Sequence, residues 1–366
     1  MLRVGIVGLP NVGKSTLFNA LVAQEAALAA NYPFATIEPN VGVVPVPDER
    51  LNVLQRIYKP ERVVPAVVEF VDIAGLVKGA SEGAGLGNQF LANIRETNAI
   101  VQVVRCFDDD NIIHVEGSVN PSRDIQTIQI ELALADLASV EKRIEKVIRS
   151  AKAGDKKAKF ELEVLEKARL VLEDGRPARS ISLTQEETEV LRGLFLLTTK
   201  PNLYAANVTE QWLSNPDKNA YVRQVKEIAK IDGSEVVVIC AKLEAELSIL
   251  SPEERKEYLD SLGIKSSGVD ELIRAAYKAL GLISFLTAGE KEVRAWTIPI
   301  GTKAPQAAGE IHSDMERGFI RAEVISFDDL VRAGSEKAAR EMGLIRLEGK
   351  DYVMQEGDVV HFRFAV

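Results

Sequence analysis

The chain has 366 residues, 46% of them hydrophobic and 27% charged, a balance that excludes general disorder in a length too great for one ordinary core. Lys and Arg number 45 against 54 Asp and Glu, so the net charge is −9, which excludes a chain coated with nucleic-acid-binding charge but leaves room for a local basic patch. Two cysteines, Cys106 and Cys240, are too few for a disulfide framework or a stable metal–sulfur site and point to a reducing cytoplasm.

Gly8, Pro10 and Lys14 break the first apolar run, so no signal peptide is expected, and no uncharged run approaches the roughly 18 residues of a membrane span. Leu2 to Val7 reads as a buried strand ending in glycine, and Ser15 to Gln24 as a helix. Further β-rich runs lie at 67–71, 100–104, 203–206 and 236–239. Strands separated by helices predict an α/β fold, an open parallel sheet with helices on both faces and ligands beyond the carboxyl ends of its strands.

Ile130, Leu134, Leu137, Val140, Ile144 and Val147 recur at spacings of three and four and predict one apolar stripe on a long helix. Residues 150–159 are polar, after which Leu162, Leu165 and Leu172 resume the pattern, so an antiparallel helical hairpin of coiled-coil type is expected. Thr184 with Glu187 signals the capping box of a further helix. From Glu141 to Arg169 ten Lys and Arg face six Asp and Glu, a local +4 within a chain of −9. This is either a solvated helix face or a contact with an anionic partner. In the last stretch Val360, Phe362, Phe364 and Val366 alternate with polar or small residues as a half-buried strand, Thr297 to Ile300 is β-like, and Gln306 to Arg317 is helix-compatible. The division expected is a nucleotide domain of residues 1–127 and 198–281, a helical insert of 128–197, and a small α+β domain of 282–366.

Gly8-Leu9-Pro10-Asn11-Val12-Gly13-Lys14-Ser15 fits G-x-x-x-x-G-K-[ST] between a strand and a helix. Glycines let the backbone wrap phosphate oxygens, and consecutive N–H groups through Thr16 form an anion nest at the helix start. Lys14 is expected to reach the terminal phosphates and the Ser15 hydroxyl to ligate Mg²⁺. Asp72, in a strand ending Asp-x-x-Gly, is placed to hold the Mg²⁺ through water, and Thr36 to add a second hydroxyl. Guanine-specific proteins carry Asn-Lys-x-Asp at the next element. Here Asn207-Val208-Thr209-Glu210 lacks the lysine and carries an acid one methylene longer, which suits adenine read by backbone groups around Val208. A degenerate guanine site is the other reading. Cys240-Ala241-Lys242 stands where guanine binders have Ser-Ala-Lys.

With Asn11-Val-Gly-Lys-Ser-Thr16, Asp72-x-Ala-Gly75 followed by Leu-Val-Lys-Gly-Ala-Ser, Gly83-Ala-Gly-Leu-Gly87, Asn207-x-x-Glu210 and His114-Val-Glu-Gly-Ser-Val-Asn-Pro121 in view, the chain resembles over its whole length the Obg-like ATPase (YchF) family of the translation-factor-related P-loop GTPase class. The resemblance implies a helical hairpin inserted in the nucleotide domain, a β-grasp-like TGS domain at the C-terminus, ATP preferred over GTP, slow hydrolysis and ribosome association. Cys240 departs from the serine commoner in that family.

The position of a water-orienting glutamine holds Leu76, which cannot hydrogen-bond water, so turnover is expected to be slow. Two residues are candidates to substitute. Asn11 resembles the asparagine with which cation-dependent relatives hold K⁺, and His114 could position water. The glycines of 79–87 suit a segment ordered in one nucleotide state. The leading expectation is an ATP-dependent switch acting on a ribosome or similar RNA assembly. The alternative is a GTP-binding, nucleotide-gated RNA-binding module with incidental hydrolysis. No acceptor-substrate lid supports a metabolic kinase.

Overall fold

The structure is a computed structural model that describes residues 2–24, 40–73, 86–115 and 117–365. Its elements begin with β1 (Arg3–Val7), α1 (Lys14–Ala23), β2 (Val41–Pro45), α2 (Glu49–Tyr58), β3 (Arg62–Val64), β4 (Val67–Asp72), α3 (Leu86–Arg95), β5 (Ala99–Arg105), α4 (Pro121–Lys152) and α5 (Lys156–Glu173). They continue with α6 (Gln185–Arg192), β6 (Asn202–Asn207), α7 (Ala220–Asp232), β7 (Glu235–Ile239), α8 (Ala241–Leu247), α9 (Pro252–Ser261) and α10 (Gly268–Ala279). The C-terminal stretch supplies β8 (Leu282–Ala288), β9 (Glu292–Pro299), α11 (Ala304–Ile311), α12 (Ser313–Arg317), β10 (Phe319–Ser326), α13 (Phe327–Ala333), α14 (Glu336–Glu341), β11 (Arg346–Glu348) and β12 (Asp358–Phe364).

The first unit is built on a sheet of order β2-β4-β1-β5-β6-β7. β1 runs parallel to both β4 and β5, with Val4 opposite Phe70 and Ala99, and β5, β6 and β7 continue in parallel. Every residue of β5 is buried, as expected of an interior strand covered on both faces. All five predicted strands are present, and β2 is added to them. The five parallel strands β4-β1-β5-β6-β7 give the predicted α/β fold class and gather their carboxyl ends along one edge.

The predicted hairpin is α4 and α5. Asn120 caps α4 through Arg123 N (3.1 Å), with Pro121 at the first helical position. Gly154, at φ 97, turns the chain where a side chain would be strained, and Asp155 restarts the helix by accepting from Lys157 N and Ala158 N. Val140, Ile144, Val147 and Ala151 pack with Val164, Leu165, Ala168 and Leu172. Thr184 and Glu187 form the expected capping box on α6.

One part of the stripe needs correction. Ile130 and Leu134 are 47% and 43% exposed, whereas Ile125, Ile128 and Leu132 are buried. The first turns of α4 pack beside β5 and β6, with Ile125 in one cluster with Val104 and Tyr204, so a different face is covered before α4 reaches α5. Asp136, also buried, accepts hydrogen bonds from Leu197 N, Thr198 N and Thr198 Oγ1 at 2.7–2.8 Å, and burial raises its carboxyl above the usual range.

The second unit comprises Val43–Val68 and the chain from Tyr277 onward. Residues 43–68, which the sequence reading assigned to the nucleotide domain, therefore cluster with the C-terminal unit, because β3 pairs in parallel with β9 from Arg62–Glu292 to Val64–Arg294. The sheet order is β11-β10-β12-β8-β9-β3. The β8–β9 hairpin lies beside β12, which runs parallel to β8 and antiparallel to β10. That is the strand order of a β-grasp, extended here by β3. Ala304, Ala307 and Ala308 are fully buried, and these small side chains seat α11 in the core of Phe285, Ile298, Val324 and Phe362. The rings of Phe285 and Phe362 meet edge to face at 5.8 Å. The helix predicted over 306–317 is two helices, broken where His312 adopts an extended backbone and caps α12 through Asp314 N (3.1 Å). Among the described residues no helix is long and apolar enough to cross a membrane.

Candidate nucleotide-binding site

Between β1 and α1 the chain turns on two residues in the left-handed region, Asn11 at φ 64 and Gly13 at φ 95. Asparagine tolerates that conformation, but at position 13 any Cβ would also collide with the Asn207 amide, so glycine is required twice over. The first intrahelical bond, Leu17 N to Gly13 O (3.0 Å), leaves the N–H groups of Lys14, Ser15 and Thr16 at the open end of α1. The Lys14 ammonium pairs with the Asp72 carboxylate at the end of β4, both side chains being largely shielded. Thus a cation and a carboxylate meet beside the start of α1, where Ser15 follows Lys14 in the first turn. Hydroxyl and carboxylate are hard oxygen donors, a set that fits Mg²⁺ better than a soft metal. P-loop proteins of this kind generally use Mg²⁺. Thr36, Gly75, Leu76 and the glycines up to 85 lie outside the described residues.

Asn207 is 4% exposed and joins two loops. Its Nδ2 donates to Val12 O (2.9 Å) and its Oδ1 accepts from Ala241 N (3.0 Å), so the phosphate loop is registered against the segment after β7. Beside it opens a cleft of about 480 Å³, lined after β5 by Phe107, Asp109 and Ile112, after β6 by Val208, Thr209, Glu210 and Gln211, and after β7 by Cys240, Lys242, Leu243 and Glu246. The three walls stand at the carboxyl ends of three neighbouring strands. Burial pushes the Cys240 thiol up, so a neutral sulfur faces the cleft.

The expectation of backbone readout around Val208 is narrowed here to the groups that the fold leaves free. The Val208 N–H donates to Ile239 O (2.8 Å) and the Ala241 N–H to Asn207, so neither is offered to a base. The Val208 side chain is 2% exposed in an apolar cluster, a place unsuited to the ammonium of the guanine-specific pattern. Glu210 lies beside the phenol of Tyr258, which its charge holds above the usual value.

The two candidates for water positioning are also located. Asn11 donates from Nδ2 to Ile113 O (3.1 Å), which ties the phosphate loop to the loop after β5. His114 is 7% exposed, with Nε2 2.8 Å from Asp124 Oδ2 in the first turn of α4, so the imidazole is anchored to that helix. The wall formed by Phe107, Asp109 and Ile112 was not anticipated from the sequence. The sequence there shows the charges of Asp108-Asp109-Asp110, and charge alone does not reveal a cleft.

A phosphate loop opening a helix, an aspartate at the end of the adjacent parallel strand and a cleft across the next three strand ends together define a P-loop nucleotide-binding domain of the GTPase type. Comparison with known proteins narrows this. A family model described as a 50S ribosome-binding GTPase matches residues 3–149, and one for YchF-GTPase_C, described as a protein of unknown function, matches residues 282–365. "Ribosome-binding ATPase YchF" of Pasteurella multocida is 57% identical over 364 residues, covering 100% of this chain and 99% of its own length. The protein of the same name from Bacillus subtilis is 54% identical over 365 residues, covering 100% of both chains. A solved structure of the Schizosaccharomyces pombe YchF GTPase matches with a TM-score of 0.89 at 43% identity, covering 99% of this chain and 97% of that one. The chain belongs to the YchF family.

Proposed function

We propose that this protein is an ATP-binding, slowly hydrolysing switch that associates with the ribosome in the cytoplasm. The observation that carries the nucleotide reading is Asn207, which ties the phosphate loop to a cleft where Val208 and Glu210 replace the guanine fork. The names of the relatives support the partner. Lys14 would reach the terminal phosphates. Ser15, Thr36 and, through water, Asp72 would hold Mg²⁺, which would offset phosphate charge there. Thr209, Glu210, Cys240 and Lys242 would surround the base. The hairpin of 128–197 would act as the partner-binding arm, and residues 282–366 as a TGS-type domain.

Without the guanine fork, ATP should bind at least about tenfold tighter than GTP, roughly 1.4 kcal/mol. Titration calorimetry with both Mg-nucleotides measures this. Equal or reversed affinities would establish the degenerate guanine site, and with it the GTP-gated RNA-binding module.

Leu76 offers no hydrogen bond to water, so unaided turnover should lie far below the roughly 1–100 s⁻¹ of kinases. The Asn11 amide, aimed by its bond to Ile113 O, supports a K⁺ near the phosphates. Turnover should rise when Na⁺ is replaced by K⁺, and Asn11→Ala should remove the rise. Identical rates in both salts would discard the cation and leave His114, held by Asp124, as the group that positions water.

A further inference from the structure

Arg105, the last residue of β5, is 1% exposed, yet the nucleotide-site assignments above give it no role. A guanidinium that far from water needs its donors satisfied, and Arg105 satisfies them in an unusual way. Nε donates to Phe107 O (3.0 Å), Nη1 to Ile112 O (2.9 Å) and Nη2 to Asp109 O (3.1 Å). These three carbonyls belong to the three residues with which the loop after β5 lines the cleft. The guanidinium also lies over the Phe107 ring, 4.8 Å from its centroid.

Other contacts also shape the loop: Ile112 N donates to Asp109 O (3.1 Å) and Asn111 N to Asp109 Oδ1 (2.9 Å) within it. Asn219 Nδ2 donates to Cys106 O (3.0 Å), Tyr221 Oη to the Asp108 carboxylate (3.0 Å) and Asn11 to Ile113 O. Arg105 alone reaches all three lining residues, through a rigid planar fork rather than a flexible chain. A wall of irregular backbone holds a fixed shape only if something fixes it before the ligand arrives.

We propose that Arg105 is a positioning residue that pre-forms the Phe107–Ile112 wall, so that its contribution goes to recognition of the nucleoside and not to the phosphates. This rests on the reading that the cleft holds the base. Lysine keeps the positive charge but has no planar fork, so charge and geometry are separable by substitution.

The test is calorimetric titration of the full chain and of Arg105→Lys with Mg-ATP and with Mg-tripolyphosphate, alongside melting curves without ligand. Arg105→Lys is expected to weaken ATP tenfold or more and to change tripolyphosphate affinity by less than twofold. Phe107→Leu keeps the three carbonyls and loses the stacked ring. It covers the case in which the arginine variant does not fold, and is expected to show a smaller loss confined to ATP. If a folded Arg105→Lys binds ATP as the parent does, or if either variant loses both ligands equally, Arg105 is a structural support only. If the parent itself binds ATP no better than tripolyphosphate, the base is not held in the cleft, and the reading beneath the proposal falls with it.

Discussion

Lys14→Ala should abolish tight triphosphate binding while leaving a folded protein. Lys14 is the first residue of α1, beside the N–H groups that begin the helix, and its ammonium meets the Asp72 carboxylate. The two side chains are only 11% and 16% exposed, so their charges are screened far less than on an open surface. In so shielded a place a contact between the ammonium and a nucleotide phosphate is a charge pair of the kind whose truncation costs about 2–5 kcal/mol, which at the low end is already roughly thirtyfold in affinity. The fold should survive, because alanine favours helix and the bonds joining Asn207 to Val12 and Ala241 do not involve the lysine. Ser15→Ala should be milder, raising the Mg²⁺ needed for half-maximal turnover. Titration calorimetry and steady-state hydrolysis measure both effects, and a Lys14→Ala protein with the parent's affinity and turnover would remove the phosphate-loop assignment.

How far the sequence reveals this site depends on which force fixes each part. The phosphate loop is legible because its chemistry is local: Gly13 must adopt φ 95, Lys14 and Ser15 must follow it, and a strand and a helix must flank it. The central strands are legible for a different reason, since β5 and β6 are buried along nearly their whole length and read as continuous apolar runs. The wall after β5 is not legible. It exists because one buried arginine gathers three carbonyls, and no residue type marks the carbonyls it will choose.

Errors along the chain follow the same logic. Ile130 and Leu134 satisfy the helical period but lie on the side of α4 that nothing covers, because the neighbours of α4 change along its length. Periodicity reports that a helix has an apolar face and says nothing of a partner that changes midway. Residues 43–68 were misplaced because β3 is three residues long and is defined by pairing with β9, more than 200 positions later. In the C-terminal unit the alternation of 360–364 gave β12, but β10 escaped notice, since a bulge between Phe319 and Arg321 breaks its alternation.

Replacing Lys152, Lys156, Lys157 and Lys159 with glutamate should weaken ribosome binding by more than tenfold near physiological salt and leave ATP affinity unchanged. All four are exposed at the turn between α4 and α5, and among the described residues none of them makes an ion pair. Three other basic residues of the hairpin are paired: Arg143 with Glu161, Lys167 with Glu187, and Arg169 with Glu166 and Glu173. Lys142, Lys146 and Arg149, also exposed, make no ion pair among the described residues either, so unneutralised charge runs from the tip along α4 and offers an anionic partner a continuous surface. A protein of net charge −9 is repelled by RNA except where its cations are concentrated. If the four lysines meet phosphates, each releases about one counterion, so the logarithmic salt dependence of binding should flatten by up to roughly 3 units in the variant. Co-sedimentation with ribosomes at several salt concentrations reads both the affinity and that slope. The hairpin core of Val140, Ile144, Val164 and Leu165 lies away from the substitutions, so a melting curve should barely move. Co-sedimentation equal to the parent's at every salt concentration would exclude the tip and direct attention to residues 282–366, whose removal tests the rival surface.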